Sequence, residues 1–450
     1  MSAQATIDAT PRAARVLHLR GPNIVSLAGA LIFAGTWYLT SAFSWRQGAL
    51  FLVGAGAGVV LYHAAFGFTS AWRAVIATGR GEALRAQMLM LAATCLVFFP
   101  VLARGEIFGQ AVRGSVAPLG LSVVAGAFLF GVGMQLGGGC ASGTLYSAGG
   151  GSVRMLVTLA AFITGSVIGA RHMPFWDQAP AFAPISLVAR YGAVVALAIS
   201  LLLFGLIVAL SLALERWRLG TRIVDPSFSS GGDSDRGSDV QLTAVAKAMA
   251  SPPELPRGRQ PDTTSGAEAP DTTSGAAAEE GHWLRGPWPL AAGAFGLAGV
   301  NIATLVLAGR PWGVTSAFAL WGSKMLDAAG ANVAAWPYWQ TATRAAELRA
   351  SVLHDVTSVM DFGIILGALA ASGLAGRFAP TWRVPPRSLL AALCGGLMLG
   401  YGARIAYGCN IGAYFSGIAS SSLHGWLWFA AALVGNIAGT RLRPWFGLRV

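Results

Sequence analysis

The sequence predicts an all-α, polytopic membrane protein made of two homologous repeats, with broken, half-membrane helices meeting at a central pore. Composition is the first reason. Of 450 residues, 54% are hydrophobic and 11% charged, where soluble domains carry about 25% charge; the mean hydropathy is +0.59. The second reason is a duplication. Phe130-Gly131-Val132-Gly133 leads into Gly137-Gly138-Gly139-Cys140-Ala141-Ser142-Gly143, and Leu399-Gly400-Tyr401-Gly402 leads into Ala406-Tyr407-Gly408-Cys409-Asn410-Ile411-Gly412. An offset of 269 positions pairs Gly131 with Gly400, Gly133 with Gly402, Gly139 with Gly408, Cys140 with Cys409, Gly143 with Gly412 and Ser147 with Ser416; one residue later it pairs Gly165, Gly169 and Arg171 with Gly435, Gly439 and Arg441. The third is glycine, at 59 residues about twice the usual 7%, which suits helices packed through small faces such as Gly54 to Gly58.

Apolar segments able to span or enter a bilayer run in order over 24–43, 48–66, 83–103, 119–136, 153–170 and 187–214, then 288–308, 312–326, 357–376, 388–406 and 423–440. A full span needs about 20 residues, so the shorter ones are candidate half-helices. Arg12, Arg15 and Arg20 precede the first segment, which continues at spanning length without a small-residue cleavage site and reads as a transmembrane helix instead of a cleaved signal. Trp37, Trp45, Trp217, Trp288 and Trp445 lie near segment ends, as in aromatic belts.

Residues 215–286 differ from all of this. Pro261-Asp-Thr-Thr-Ser-Gly-Ala267 is echoed at Pro270-Asp-Thr-Thr-Ser-Gly-Ala276, and the segment is rich in Pro, Ser, Gly and acids. Such a stretch buries too little apolar area to offset its ordering entropy and reads as a disordered linker. It holds eight basic and eleven acidic residues, which leaves the membrane portion near +15. Basic residues singly punctuating apolar runs argue for membrane topology and against nucleic acid. The positive-inside rule puts Arg216, Arg218 and Arg222, the N-terminal arginines, and Arg441, Arg443 and Arg449 in the cytoplasm.

Four glycines within Gly137 to Thr144 are too costly for an ordinary helix interior, so the chain should break there. Irregular backbone at membrane depth persists only where protein buries it or it lines a polar cavity. A helix resuming near Val153 would turn its N-terminal N–H groups toward that break, an anion-binding arrangement. The second half repeats it with Gly408, Cys409 and Gly412, and Ser416, Ser420, Ser421 and Ser422 supply hydroxyls before a helix at about 423. A lone buried cysteine usually packs as a small apolar residue, but matched placement in two breaks favours thiols lining a shared constriction. Cys95 and Cys394 lie in continuous apolar segments and read as packing residues. Asp361 and Arg404 are the clear intramembrane charges; they either pair as a brace or Arg404 faces the path and attracts an anion. His172 and His424, near segment ends, read as interfacial. No HExxH, Walker A or CxxC spacing occurs, so an enzyme would rest on the two cysteines alone.

The stretches Phe130 to Leu145 and Gly400 to Gly417, with fainter likeness at Phe66-Gly-Phe-Thr-Ser-Ala-Trp-Arg73 and Pro311-Trp-Gly-Val-Thr-Ser-Ala-Phe318, resemble the YeeE/YedE family of bacterial sulfur-transport membrane proteins, whose best understood members import thiosulfate. The resemblance implies an hourglass-like helical fold with central loops and cysteines that contact the passing anion. It places Cys140 and Cys409 at the central thiol positions; where the family has a third cysteine, this chain has Gly67.

The resulting expectation is a multi-pass protein of the bacterial inner membrane, organised as a cytoplasmic tail (1–22), a first repeat (23–214), a linker (215–286) and an inverted second repeat (287–450). It carries a small inorganic sulfur anion, thiosulfate first, along a path lined by Cys140, Cys409, Gly139, Gly408, Ser142, Asn410, Ser416 and Arg404, without cofactor or metal. A cytoplasmic sulfur-carrier or sulfurtransferase protein is a candidate partner. Alternatives are another sulfur or selenium substrate, a membrane sulfurtransferase working through a cysteine persulfide, and an auxiliary subunit of a sulfur-oxidation complex.

Overall fold

A computed structural model describes residues 21–219, 283–380 and 382–450. The helices are α1 (Gly21–Ala42), α2 (Trp45–His63), α3 (Phe68–Thr78), α4 (Glu82–Arg104), α5 (Leu121–Gly137), α6 (Ala141–Gly149), α7 (Val153–Trp176), α8 (Leu187–Leu219), α9 (Leu290–Ala308), α10 (Thr315–Ala328), α11 (Ala342–Arg349), α12 (Val356–Leu374), α13 (Pro386–Ile405), α14 (Ser416–Ala419) and α15 (Leu423–Leu442). A π-helical turn, Asn410–Phe415, joins the second break to α14. Two antiparallel ladders of two-residue strands, Glu106–Ile107 with Gln110–Ala111 and Leu119–Gly120 with Ala181–Phe182, are the sheet structure among the described residues. Residues 1–20 of the expected tail and 220–282 of the expected linker lie outside the described residues; α1 already begins at Gly21, and α8 continues to Leu219.

Among the described residues, nine stretches are long and apolar enough to cross a membrane. Three of them run through an interruption: 45–78 contains α2 and α3, 121–149 contains α5 and α6, and 386–419 contains α13, the π turn and α14. The chain is thus an α-helical, polytopic membrane protein. The sequence reading missed α3 and α6, because a helix of nine to eleven residues gives too short an apolar period to separate from its neighbour, and α11, because its eight residues are mostly polar or small.

The two halves are interleaved. Helix α7 packs along α13, and α15 packs along α5; α5 and α13 pack on each other, while α2 lies along α12 and α4 along α9. Glycines make these approaches possible. A Cβ on Gly400 would strike the backbone of Phe162 in α7, and one on Gly131 the backbone of Ala432 in α15; Gly165 meets Leu397, and Gly435 meets Phe128. These are equivalent pairs under the repeat offset, so the repeated glycines mark the surfaces where each half crosses the other. Close approach through small residues replaces the hydrophobic drive that is lost when the surroundings are lipid. The same device seats α12 on α2, with Gly54 against Met360 and Gly363 against Phe51.

Candidate functional site

The break after α5 is shorter than the sequence suggests. Gly137 still belongs to α5, and only Gly138, Gly139 and Cys140 separate it from α6. Gly138 ends the helix in the left-handed region (φ +83°) and donates its N–H to the Met134 carbonyl at 3.0 Å, the usual glycine stop. The helix presenting its N-terminus to the break is therefore α6, not α7. Cys140 is its N-cap, in extended backbone (φ −82°, ψ −171°). Its sulfur accepts from the Gly143 N–H at 3.4 Å and lies 3.4 Å from the Ser142 hydroxyl. A sulfur that accepts from the helix start leaves its S–H free to donate, beside the positive end of the helix dipole.

Cys409 repeats this backbone (φ −101°, ψ −168°). The Ala413 N–H reaches the Cys409 carbonyl at 2.8 Å, as the Thr144 N–H reaches that of Cys140 at 2.8 Å. Unlike the Cys140 side chain, the Cys409 side chain makes no cap hydrogen bond to the turn that follows it. The approach differs: Tyr407 takes φ +59° and Gly408 φ +152°, and the chain then winds into the π turn that holds Gly412. Trp428 donates its indole N–H to the Gly408 carbonyl at 3.1 Å, and Tyr414 of the turn stacks on Trp428 and Phe429.

The two elements carrying the cysteines touch each other, and Cys409 lies within electrostatic range of both Cys140 and Asp361. All four cysteines are free thiols. Cys140 is 2% and Cys409 0% exposed. Ser142 and Asn410 are buried with them, and both side-chain amide atoms of Asn410 lack a hydrogen-bond partner. An unpaired buried amide costs about 1–3 kcal/mol; its tolerance beside a thiol at two helix starts suits a site that receives a polar guest.

Other residues sit elsewhere than expected. Arg404 does not pair with Asp361: its guanidinium donates to the Tyr338 hydroxyl and the Thr315 carbonyl, each at 2.7 Å. Its repeat equivalent, Gln135, donates to the Thr69 carbonyl at 3.2 Å, and Thr69 and Thr315 match in the Gly-Phe-Thr-Ser-Ala and Gly-Val-Thr-Ser-Ala runs. Each long helix is thereby tied to the first turn of the short helix α3 or α10. Ser416 donates to the Trp312 carbonyl at 2.6 Å and accepts from Asn301. Ser420 accepts the Ser115 N–H, Ser421 meets Ser186 and Ser422 meets His424. His424 is fully buried instead of interfacial, since the turn before α15 folds inward against α14.

Two arginines were missed as parts of the site. Arg154 donates to the Leu136 and Gly137 carbonyls at 2.7 and 3.0 Å, and Arg443 to the Gln135 carbonyl at 2.6 Å. They supply donors to the C-terminal carbonyls of α5, where a cation also opposes the negative end of the dipole. Arg443, one of the arginines that the positive-inside rule groups on the cytoplasmic side, is buried at 0% exposure. Sequence patterning has no signal for a cap delivered from 17 or 308 residues away.

Interleaved helices interrupted at equivalent points, with a thiol at two of the interruptions, define a polytopic membrane protein with broken helices. The chain belongs to the family described as sulphur transport, whose model matches residues 63–438. It is 33% identical over 146 residues to the "Probable transporter YedE" of Escherichia coli, covering 32% of this chain and 33% of that protein. It is 31% identical over 170 residues to the protein of the same name from Salmonella typhimurium, covering 37% of each. Over 74 residues, 16% of this chain and 22% of the relative, it is 40% identical to the "Thiosulfate transporter TsuA" of Spirochaeta thermophila. The matched stretches thus span about a third or less of these relatives. The family and the relatives' names are those of transporters, not enzymes.

Proposed function

We propose that this protein carries thiosulfate across the bacterial inner membrane, with Cys140 and Cys409 as successive S–H donors to the passing anion. The supporting observation is the pair of buried thiols, each in the same extended conformation at the start of a short helix and each within electrostatic range of the other. Two helix starts, each equivalent to roughly half a positive charge, offset part of the anion's desolvation. Ser142 and Asn410 add polar contacts, Gly139 and Gly408 let the backbone approach, Ser416 fixes the second short helix, and Arg404 adds positive charge behind it. Thiols are weak donors, which suits a site that must release as well as bind. A persulfide-forming sulfurtransferase would need a thiolate, and the burial of the Cys140 sulfur, 2% exposed, opposes that charge. A cytoplasmic sulfur-carrying protein would be the receiver.

The test is uptake of labelled thiosulfate by cells expressing single Cys→Ala variants at matched levels. Cys140→Ala and Cys409→Ala should each lose about tenfold or more, the scale of a 1.5–3 kcal/mol hydrogen bond to a charged group. Cys95→Ala and Cys394→Ala should keep most activity. Wild-type rates in both central variants would remove the thiol path from the mechanism.

A further inference from the structure

Two aspartates stand six residues apart in and before α12, and their surroundings are opposite. Asp355, the N-cap, accepts from the N–H groups of Thr357 and Ser358 and the Ser358 hydroxyl, and Arg310 lies 3.5 Å from it. It has what an ionised carboxylate needs. Asp361 is 0% exposed, and neither of its carboxyl oxygens has a hydrogen-bond partner. An unpaired ionised carboxylate is prohibitively costly in such a place, whereas a protonated one is tolerable.

The helix faces show where Asp361 points. Met360, Gly363 and Gly367 meet α2 at Gly54, Phe51 and Ala55, and Phe362 stacks on Trp321 of α10. Asp361 shares its stripe with Ile365 and Ala368, and both of these lie against Gly149 of α6, the helix that Cys140 caps. From the other break, Cys409 is within electrostatic range of Asp361. The titratable groups around it are thus Asp355 at the start of its own helix and Cys409, and the packed helix α6 carries Cys140 at its cap and Tyr146. At the level of Asp361, α2 presents Phe51 and Gly54, with Tyr62 and His63 beyond the Gly58 contact to Ile364; Tyr38 of α1 is turned outward. The cations of the flanking elements are engaged elsewhere: Arg46 over Trp45, Lys324 on the Leu348 and Ala350 carbonyls, Arg310 at Asp355, and Arg404 at Tyr338 and Thr315.

We propose that Asp361 is the proton carrier of this protein, protonated while the sulfur anion is at Cys409 and exchanging that proton with water in each transport cycle. The inference rests on the transport reading above. An anion and an ionised Asp361 would repel each other in one low-dielectric space, so anion and proton each favour the other's binding, and that coupling is reciprocal. The proton comes from water on the entry side, forming the carboxyl O–H bond, and returns to water on the exit side when that bond breaks. Thiosulfate is the anion of a strong acid and stays a dianion near neutral pH, so the protein has to carry the proton. One proton per dianion leaves one net negative charge to cross instead of two.

The experiment uses purified full-length protein in vesicles at about pH 8 inside, diluted into buffer at about pH 8 or about pH 6. Uptake of labelled thiosulfate and the signal of a trapped pH dye are followed together. The wild type should take up thiosulfate several-fold faster with acid outside, and the dye should report acidification that depends on thiosulfate. In Asp361→Asn the ratio of the two rates should fall to about one, whatever the absolute rate, and Asp361→Glu should restore part of it. An Asp361→Asn ratio equal to wild type, or acceleration by sodium instead of acid, overturns proton carriage while leaving thiosulfate transport standing; no wild-type uptake under any gradient overturns both. Infrared spectra provide a readout independent of transport. The carbonyl band of a buried protonated carboxyl should be present in the wild type at neutral pH and absent in Asp361→Asn, and its absence from the wild type would show Asp361 ionised and sink the proposal.

Discussion

The break before Cys140 and the break before Cys409 share one sequence pattern, yet different groups hold them in shape. In the first, a left-handed glycine closes α5, and guanidinium groups from Arg154 and Arg443 cover the carbonyls of Gln135, Leu136 and Gly137. In the second, the residue equivalent to Arg154 is His424, the chain passes through positive φ at Tyr407 and Gly408, and a π turn and an aromatic wall complete it. What both preserve is narrower than the sequence repeat: an extended cysteine whose carbonyl starts a short helix. Convergence of two supports on one local geometry points to that geometry as the selected feature.

The largest expected effect tests the strained side. Gly408→Ala places a Cβ 2.8 Å from the Ala413 nitrogen at φ +152°, a region that costs about 1–3 kcal/mol before any clash. Its equivalent Gly139 lacks a positive φ, and its new Cβ would meet nothing closer than 3.3 Å. Gly408→Ala should lower stability by about 3 kcal/mol or more and Gly139→Ala by about 1 kcal/mol, read as thermal unfolding in detergent by tryptophan fluorescence. Equal losses would mean the two breaks are held alike.

Next comes the charged support of the first break. Arg154→Met leaves the Leu136 and Gly137 carbonyls without the side chain that covers them, at a cost of about 2–4 kcal/mol. Arg154→Lys should recover part of this, since one ammonium can reach a carbonyl but lacks the planar fork that spans two. The same unfolding measurement checks both, and a neutral Arg154→Met would leave Gly138 as the whole of the stop.

The smallest structural effect is expected where one half can be made to copy the other. Arg404→Gln installs the residue that the first half uses at position 135, whose amide already holds the Thr69 carbonyl. Protein abundance should stay within about twofold, since only the bond to Tyr338 is lost, worth about 1 kcal/mol. Thiosulfate uptake should fall by about threefold through the lost positive charge, a long-range effect softened by screening. Wild-type uptake at wild-type abundance would make Arg404 a tie and nothing more.

Reading the sequence alone succeeded where a local pattern carries the cause. Long apolar runs matched the spanning helices, and the glycine spacing located both interruptions. The short helices α3 and α6 escaped it, because three turns or fewer are merged with an apolar neighbour by any periodicity. So did the pairing of charges. Asp361 and Arg404 are both visible as intramembrane charges, but which of them meets a partner depends on α10 and the Tyr338 turn reaching Arg404.

By itself, then, the sequence determined that this chain is a membrane-embedded bundle interrupted twice at equivalent cysteines, since hydropathy and glycine cost act residue by residue. Only the tertiary structure decided that each half packs through the other, that Arg154 and Arg443 cap a helix from far along the chain, and that Asp361 is left without a partner. Those outcomes are set by where distant side chains meet in a low-dielectric interior, and one buried contact there decides whether a charge braces the fold or must be neutral.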